Sequence, residues 1–284
     1  MILVTGAGGA VGSAVLHELR AVGQAARAAY HSPAKTERAV AAGDDAVTVD
    51  FARSETLAPA LDGVRTVFLL GAMGPDQTAQ ECNVVAAAAT AGVEHLVKLS
   101  VWRADEELTP IARLHRPVEL ALTSSGVAWT LLRPNFYLQN FTRQMAGSIA
   151  TAGVFAQPVI RAPISFVDVA DIARVAAGAL TSTASVGLIH DITGPEALTY
   201  EHAAAVLSRV LERPVRYLGL PDDVARAGML ERGLSPFHAD ALIDVATAYR
   251  DGGAESVTTT VRELTGREPA TFEEFAREHR AVFG

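Results

Sequence analysis

Three glycines near the start of the chain, Gly6, Gly9 and Gly12, stand at a spacing of three in the stretch VTGAGGAVGSAV, with Gly8 as an extra one. A short apolar run precedes them and a helix-forming run follows. Glycines so placed permit a turn of positive φ, offer a phosphate a backbone with no Cβ in the way, and let a helix pack closely on a strand. The unsatisfied N–H groups of that helix start then attract the phosphate. The context predicts a pyrophosphate site of dinucleotide type. The second apolar run leads into Tyr30, His31, Ser32, Pro33, Ala34 and Lys35, with no acid. A carboxylate there would hold a ribose 2′-hydroxyl. An imidazole, a hydroxyl and an ammonium suit a 2′-phosphate, so His31, Ser32 and Lys35 favour NADP(H) over NAD(H). The plainer alternative is that Lys35 and Arg38 are a solvated helix face. Asp50 and Phe51, after the third run, fit along an adenine. Leu70, Gly71 and Ala72, after the fourth, fit under the ribose and nicotinamide, because ligands of such folds collect at the carboxyl ends of strands.

Reduction also consumes a proton, and the usual donor is missing. Of the five tyrosines, Tyr30, Tyr137, Tyr200, Tyr217 and Tyr249, none has a lysine four residues later. Lys98 lies inside the apolar run HLVKLS, where pairing or snorkelling is favoured over catalysis. Ser100 and Trp102 follow at the end of that run, where a site would lie. Ser100 is a hydrogen-bond donor to a bound ligand or a small residue that permits packing, and Trp102 is a substrate contact. His115 and Glu119 share a helix face. A carboxylate beside a histidine raises its pKa and fixes its tautomer, so His115 is a candidate proton donor, with a surface pair as the equal alternative. Tyr137 is the other candidate donor. Hydride transfer to a quinone yields a conjugated anion that solvent can protonate. The missing pair therefore weighs more against simple carbonyl reduction than against quinone or activated-alkene reduction.

Other constellations carry less. Eight histidines are scattered without metal-ligand spacing, and no metal is expected. The single cysteine, Cys82, is assigned no chemistry. TSSG ending at Gly126 reads as a helix C-cap. Asp168 and Asp171 read as a helix cap and a first-turn carboxylate.

The elements that position these residues follow from periodicity. Short apolar runs (MILVT, AARAAY, AVTVD, RTVFLL, HLVKLS, AWTLLRP) alternate with helical stretches through residue 135, which predicts an α/β fold of Rossmann type, a doubly wound parallel sheet covered on both faces. Beyond residue 135 the rhythm loosens. SFVDVADIARVAAGAL, LTYEHAAAVLSRVL and EPATFEEFAREHRAVF read as helices, and GLIHDIT as a strand. Residues 1–135 are taken as the nucleotide-binding core. Residues 136–284 are taken as the interleaved remainder of the sheet and a small, mostly helical, substrate-binding C-terminal lobe, across a soft boundary.

At 284 residues and 49% hydrophobic, the chain can bury a large core. A net charge of −8 disfavours a nucleic-acid partner. No apolar run reaches the roughly 18–20 residues of a membrane span. One cysteine and the lack of a leader pattern fit a cytoplasmic protein. The expected partner is a small molecule, and a homodimer stays open.

The segments VTGAGGAVG, AGVEHLVKLS, SGVAWTLLRPNFYLQNF, ISFVDVADIARVAAGAL and ITGPEALTY together resemble the NmrA-like family of atypical short-chain dehydrogenase/reductases, over nearly the whole chain. The resemblance implies NADP(H), a Rossmann domain and a small C-terminal lobe. It puts Ala10 and Val11 at the helix start of the phosphate loop. His31 falls where relatives often carry an arginine for the 2′-phosphate. His115 and Glu119 match a family His-x-x-x-Glu pattern, with Leu120 where some quinone-reductase-like relatives have a lysine. Asn135, Phe136, Tyr137 and Asn140 match the segment on the nicotinamide and substrate side. The implied activity is hydride delivery to a quinone-like or conjugated carbonyl compound. A cofactor-reading redox sensor and a non-redox cyclase or isomerase on the same scaffold remain the alternatives.

Overall fold

The computed structural model describes residues 1–284. In chain order the first elements are β1 (Ile2–Val4), α1 (Ala10–Ala21), β2 (Ala26–Tyr30), α2 (Pro33–Ala41), β3 (Ala46–Thr48), α3 (Ser54–Ala60), β4 (Thr66–Leu69), α4 (Gln77–Thr90), β5 (His95–Leu99), α5 (Pro110–Thr123) and β6 (Ala128–Pro134). There follow α6 (Ala146–Ala152), β7 (Val154–Pro158), α7 (Val169–Thr181), β8 (Leu188–Ile192), α8 (Tyr200–Leu211) and β9 (Arg216–Leu220), then five helices between Asp222 and Phe283.

The strands form one seven-stranded sheet in the order β3-β2-β1-β4-β5-β6-β8, parallel at each pairing from β3 through β6. This is the Rossmann-type order, and its chain reversal lies between β1 and β4. Short runs of Val, Leu and Ile make the central strands because each is covered on both faces: β1 and β5 are buried at every residue. Leu57, Val84, Val85, Val118 and Leu122 of the helices pack on Leu3, Val67, Leu69, Leu96 and Leu131 of the strands in a single apolar cluster. The helix after HLVKLS begins at Pro110, ahead of His115, and ends at Thr123, so the left-handed Gly126 lies three residues past its end and is not its C-cap.

The chain divides into two compact units. Unit 1 is Met1–Glu107, Ala112–Arg133 and Ile172–Asp191, and unit 2 is Leu108–Ile111, Pro134–Asp171 and Ile192–Gly284. The division is discontinuous, since most of α7 and of β8 returns to unit 1. In unit 2, β7 and β9 pair in parallel from Val154 opposite Arg216 to Pro158 opposite Leu220. Sequence reasoning had neither strand; VFAQP and RYLGL carry no clean alternation. Unit 2 is centred on aromatic rings: Phe141 lies 4.7 Å from Phe272 and 5.4 Å from Phe166, centroid to centroid. Phe141 is thus core. Asp168 caps its helix by accepting from the Ala170 amide at 2.7 Å. Asp171 does more than face a helix start, because its buried carboxylate also accepts from the Ala270 amide at 2.9 Å. No helix is long and apolar enough to cross a membrane.

Candidate functional site

The glycine stretch forms a tight strand-to-helix turn at the end of β1. Gly6 takes a φ of +64°, and the Gly9 amide donates to the Gly6 carbonyl at 2.9 Å. A Cβ on Gly12 would lie 2.2 Å from that same carbonyl oxygen, so only glycine lets α1 approach β1 this closely. Gly9 is the N-cap of α1, which has no capping side chain and no acid in its first turn. The first-turn amides, those of Ala10 and Val11 among them, are left for an anion.

A cavity of about 290 Å³ opens beside this turn. Its walls are Gly6, Tyr30 and His31 after β2, Asp50 and Phe51 after β3, and Leu70, Gly71 and Ala72 after β4. These are the carboxyl ends of adjacent parallel strands. Asp50 is oriented by accepting from the Ala52 amide at 2.9 Å. Ser32 is the N-cap of α2, though its side chain caps nothing. A Cβ on Gly8 would lie 3.0 Å from Lys35 Nζ, so the ammonium rests against the glycine turn instead of reaching away into solvent. The cavity floor is held from below. Thr5 Oγ1 accepts from the Leu70 amide at 2.8 Å and donates toward the Phe68 and Leu70 carbonyls, at 2.9 and 3.1 Å. Glu81 Oε1 accepts from the Gly71 amide at 2.8 Å.

Two buried polar clusters lie in unit 1 and separate the residues expected to act together. Glu119 pairs with Arg133 through both oxygens, at 2.9 and 2.7 Å, and accepts from Ser100 at 2.6 Å and from Arg116 at 3.1 Å. Burial alone would raise the Glu119 pKa, but the hydrogen bonds from Arg133 and Ser100 and the Arg133 charge hold it below the usual carboxylate range. The Ser100 proton is spent on Glu119, so Ser100 is not the free donor expected. The polar partners of His115 do not include Glu119. Its Nδ1 lies 3.1 Å from Lys98 Nζ and its Nε2 lies 3.1 Å from the Gln77 amide group. Lys98 Nζ in turn meets Glu81, at 3.0 Å from Oε1 and 2.9 Å from Oε2. Burial, and then the Lys98 charge, hold the His115 pKa well below the ordinary imidazole value. The expected raising by Glu119 is thus reversed, because the ring is buried and the charged group facing it is a cation. Trp102 is buried just beyond β5.

In unit 2, Asn135 is buried and wholly engaged. Its amide nitrogen donates to Ser165 Oγ at 2.8 Å and to the Ala254 carbonyl at 2.9 Å, and its oxygen accepts from the Phe136 amide at 3.0 Å. Both of its amide donors are thus spent within unit 2, where it shapes the backbone. Phe136 and Asn140 line a cavity of about 110 Å³ together with Gln144, Met145, Gln157 and Tyr200. Tyr137 is half-buried beside it in the chain, and burial pushes its hydroxyl above the ordinary tyrosine range. Sequence reasoning missed Thr5, Gln77, Glu81 and Arg133. One signal was present: a lysine inside an apolar strand needs a buried anionic partner.

The model of the NmrA-like family matches residues 1–276 of the chain. The chain belongs to the NmrA-like family. This NmrA-like chain is 40% identical to a (4-alkanoyl-5-oxo-2,5-dihydrofuran-3-yl)methyl phosphate reductase of Streptomyces griseus, over 100% of the chain and 99% of that protein. It is 34% identical to an NAD(P)H azoreductase of Xenophilus azovorans, over 100% and 99%. Among solved structures it is similar to an NADPH-dependent quinone oxidoreductase of Escherichia coli complexed with NADPH, with a TM-score of 0.90, 28% identity, and 99% of this chain and 100% of that chain covered.

Proposed function

We propose that the chain binds NADPH in preference to NADH in the unit 1 groove and is a reductase of quinone-like or conjugated carbonyl compounds. The observation that carries this reading is the groove itself. Its open helix start, glycine turn and resting lysine fit a phosphorylated dinucleotide, and no acid stands at the end of β2 to repel a 2′-phosphate. The relatives that are an NAD(P)H azoreductase and an NADPH-dependent quinone oxidoreductase support the redox half.

When bound, the nicotinamide would supply the hydride. The chain's own residues bind and orient. Gly6, Gly9 and Gly12, with the amides of Ala10 and Val11, are the pyrophosphate seat. His31, Ser32 and Lys35 take the 2′-phosphate. Asp50 and Phe51 flank the adenine, and Leu70 and Gly71 underlie the nicotinamide half. His115 is buried with both ring nitrogens engaged, which argues against it as the proton donor. Tyr137, with its raised pKa, is suited to donating a hydrogen bond more than to releasing a proton. A conjugated acceptor needs neither, since its reduced anion is delocalised and takes its proton from water. Phe136 and Asn140 are the proposed acceptor contacts, Asn135 sets the Phe136 backbone, and Trp102, expected as a substrate contact, is buried near the end of β5.

The test is a fluorescence titration with NADPH and NADH followed by menadione, on wild type and Lys35→Ala. NADPH should bind more tightly and be consumed faster than in a protein-free control. Lys35→Ala should weaken NADPH by about tenfold or more, the worth of a charged hydrogen bond, and leave NADH unchanged. Equal affinities in both proteins would remove the 2′-phosphate assignment. Binding without consumption of the nucleotide would favour a sensor.

A further inference from the structure

Beneath the groove lies a buried assembly that the proposed reaction does not use: Glu81, Lys98, His115 and Gln77. Glu81 and Lys98 are wholly inaccessible to solvent and form an ion pair. A buried charge pair is no stabiliser in itself, since desolvation offsets most of its attraction. Its position, however, is directly under Gly71, one of the cavity walls. The Glu81 carboxylate accepts from the Gly71 amide, and a Cβ placed on Gly71 would fall 2.9 Å from Glu81 Oε1. The carboxylate therefore fills the space against Gly71, which only glycine leaves open.

Lys98 holds Glu81 in place and fixes the histidine behind it. An ammonium offers donors only, so Nδ1 of His115 accepts from Lys98 and the ring proton resides on Nε2. That proton faces the Gln77 amide, whose oxygen is the atom able to accept it. With the amide nitrogen toward the ring, two donors would oppose each other and Gln77 Oε1 would be buried without a partner. A half-turn of the amide satisfies the ring proton.

We infer that Glu81 is a positioning residue of the nucleotide groove, anchored by Lys98, which fixes the Leu70–Ala72 floor in the shape that receives the nicotinamide half of the cofactor. The inference rests on the nucleotide reading above. From the other side the floor is held by Thr5 on Leu70. Two adjacent residues of the floor are thus pinned by buried side chains from β1's end and from α4.

Two charge-balanced double variants separate this role from mere packing. Glu81→Gln/Lys98→Met keeps an acceptor for the Gly71 amide. Glu81→Leu/Lys98→Met removes it. Both lose the ion pair and the Lys98 bond to His115, so those effects cancel between them, and apolar replacement of a buried pair is commonly tolerated. Each is titrated with NADPH and with adenosine 2′,5′-bisphosphate, which lacks the nicotinamide half. The expected result is that the Leu variant binds NADPH about tenfold more weakly than the Gln variant, the worth of one lost buried hydrogen bond, while the bisphosphate binds both alike. Equal NADPH affinity in the two variants, or parallel loss of both ligands, overturns the inference. Wild-type protein that binds neither ligand overturns the nucleotide reading, and this inference with it.

Discussion

His115 carries a consequence that belongs to one side chain. Burial and then the Lys98 charge keep its ring neutral well below the ordinary value of 6.5. In the unfolded chain the ring titrates normally. As pH falls through about 6.5 the unfolded state takes up a proton that the native state refuses. Native stability is therefore complete above that pH and declines below it, by up to about 1.4 kcal/mol per pH unit from this one group. Urea unfolding of wild type and His115→Gln between about pH 7.5 and pH 5 tests the sign. The variant should lose less stability toward acid, and identical slopes would show that the ring titrates freely in the fold. The histidine was legible as a helical neighbour of Glu119; its true partner was not. Lys98 lies 17 residues away and Glu119 finds Arg133 14 residues away, choices made by strand and helix packing that no local spacing encodes. The glycines were legible for the opposite reason, because a turn of this shape constrains the residue type at each position whatever packs around it.

At the scale of the strand–turn–helix element, Gly9 and Gly12 make different demands. The nearest approach of a Cβ on Gly9 is 3.3 Å to the Gly6 carbonyl, which a small shift relieves. On Gly12 the same atom would be at 2.2 Å, inside the backbone of the turn. Gly9→Val should retain the circular dichroism spectrum and thermal midpoint of wild type within a few degrees and lose NADPH binding. Gly12→Val should lose about 1–3 kcal/mol of stability or more, the scale of overpacking. Retained NADPH affinity in Gly9→Val would move the phosphate elsewhere. Apolar runs bounded by glycine and proline placed the central strands of the sheet because these, β1 and β5 above all, are buried on both faces. The β7–β9 pair was invisible since only Phe155 and Pro158 of its residues are buried, so no regular pattern of burial was imposed on the sequence.

For the molecule as a whole, a ligand that binds only the native state must raise the unfolding temperature. At a free NADPH concentration a hundred times its Kd the gain is about 2.7 kcal/mol, which for a chain of this length corresponds to about 5 °C. Differential scanning calorimetry with and without NADPH measures it. A midpoint that stays put at saturating nucleotide would contradict the groove assignment. The α/β class was legible from the alternation of runs alone. The division into units was only half so, because a chain that leaves unit 1 and returns to it gives no composition shift at either crossing.

That return has a bearing on how the protein is made. The first six strands are synthesised by Pro134, yet unit 1 is not complete until Asp191. On the ribosome, the glycine turn therefore emerges long before the last helix and edge strand of its own unit. About a fifth of translation passes with the sheet open on the β6 side, where an unpaired strand invites pairing with a neighbouring chain. A nascent chain paused within the intervening stretch of unit 2 would hold a preformed glycine turn on an unfinished sheet. The interval between Pro134 and Asp191 is the vulnerable part of its biosynthesis.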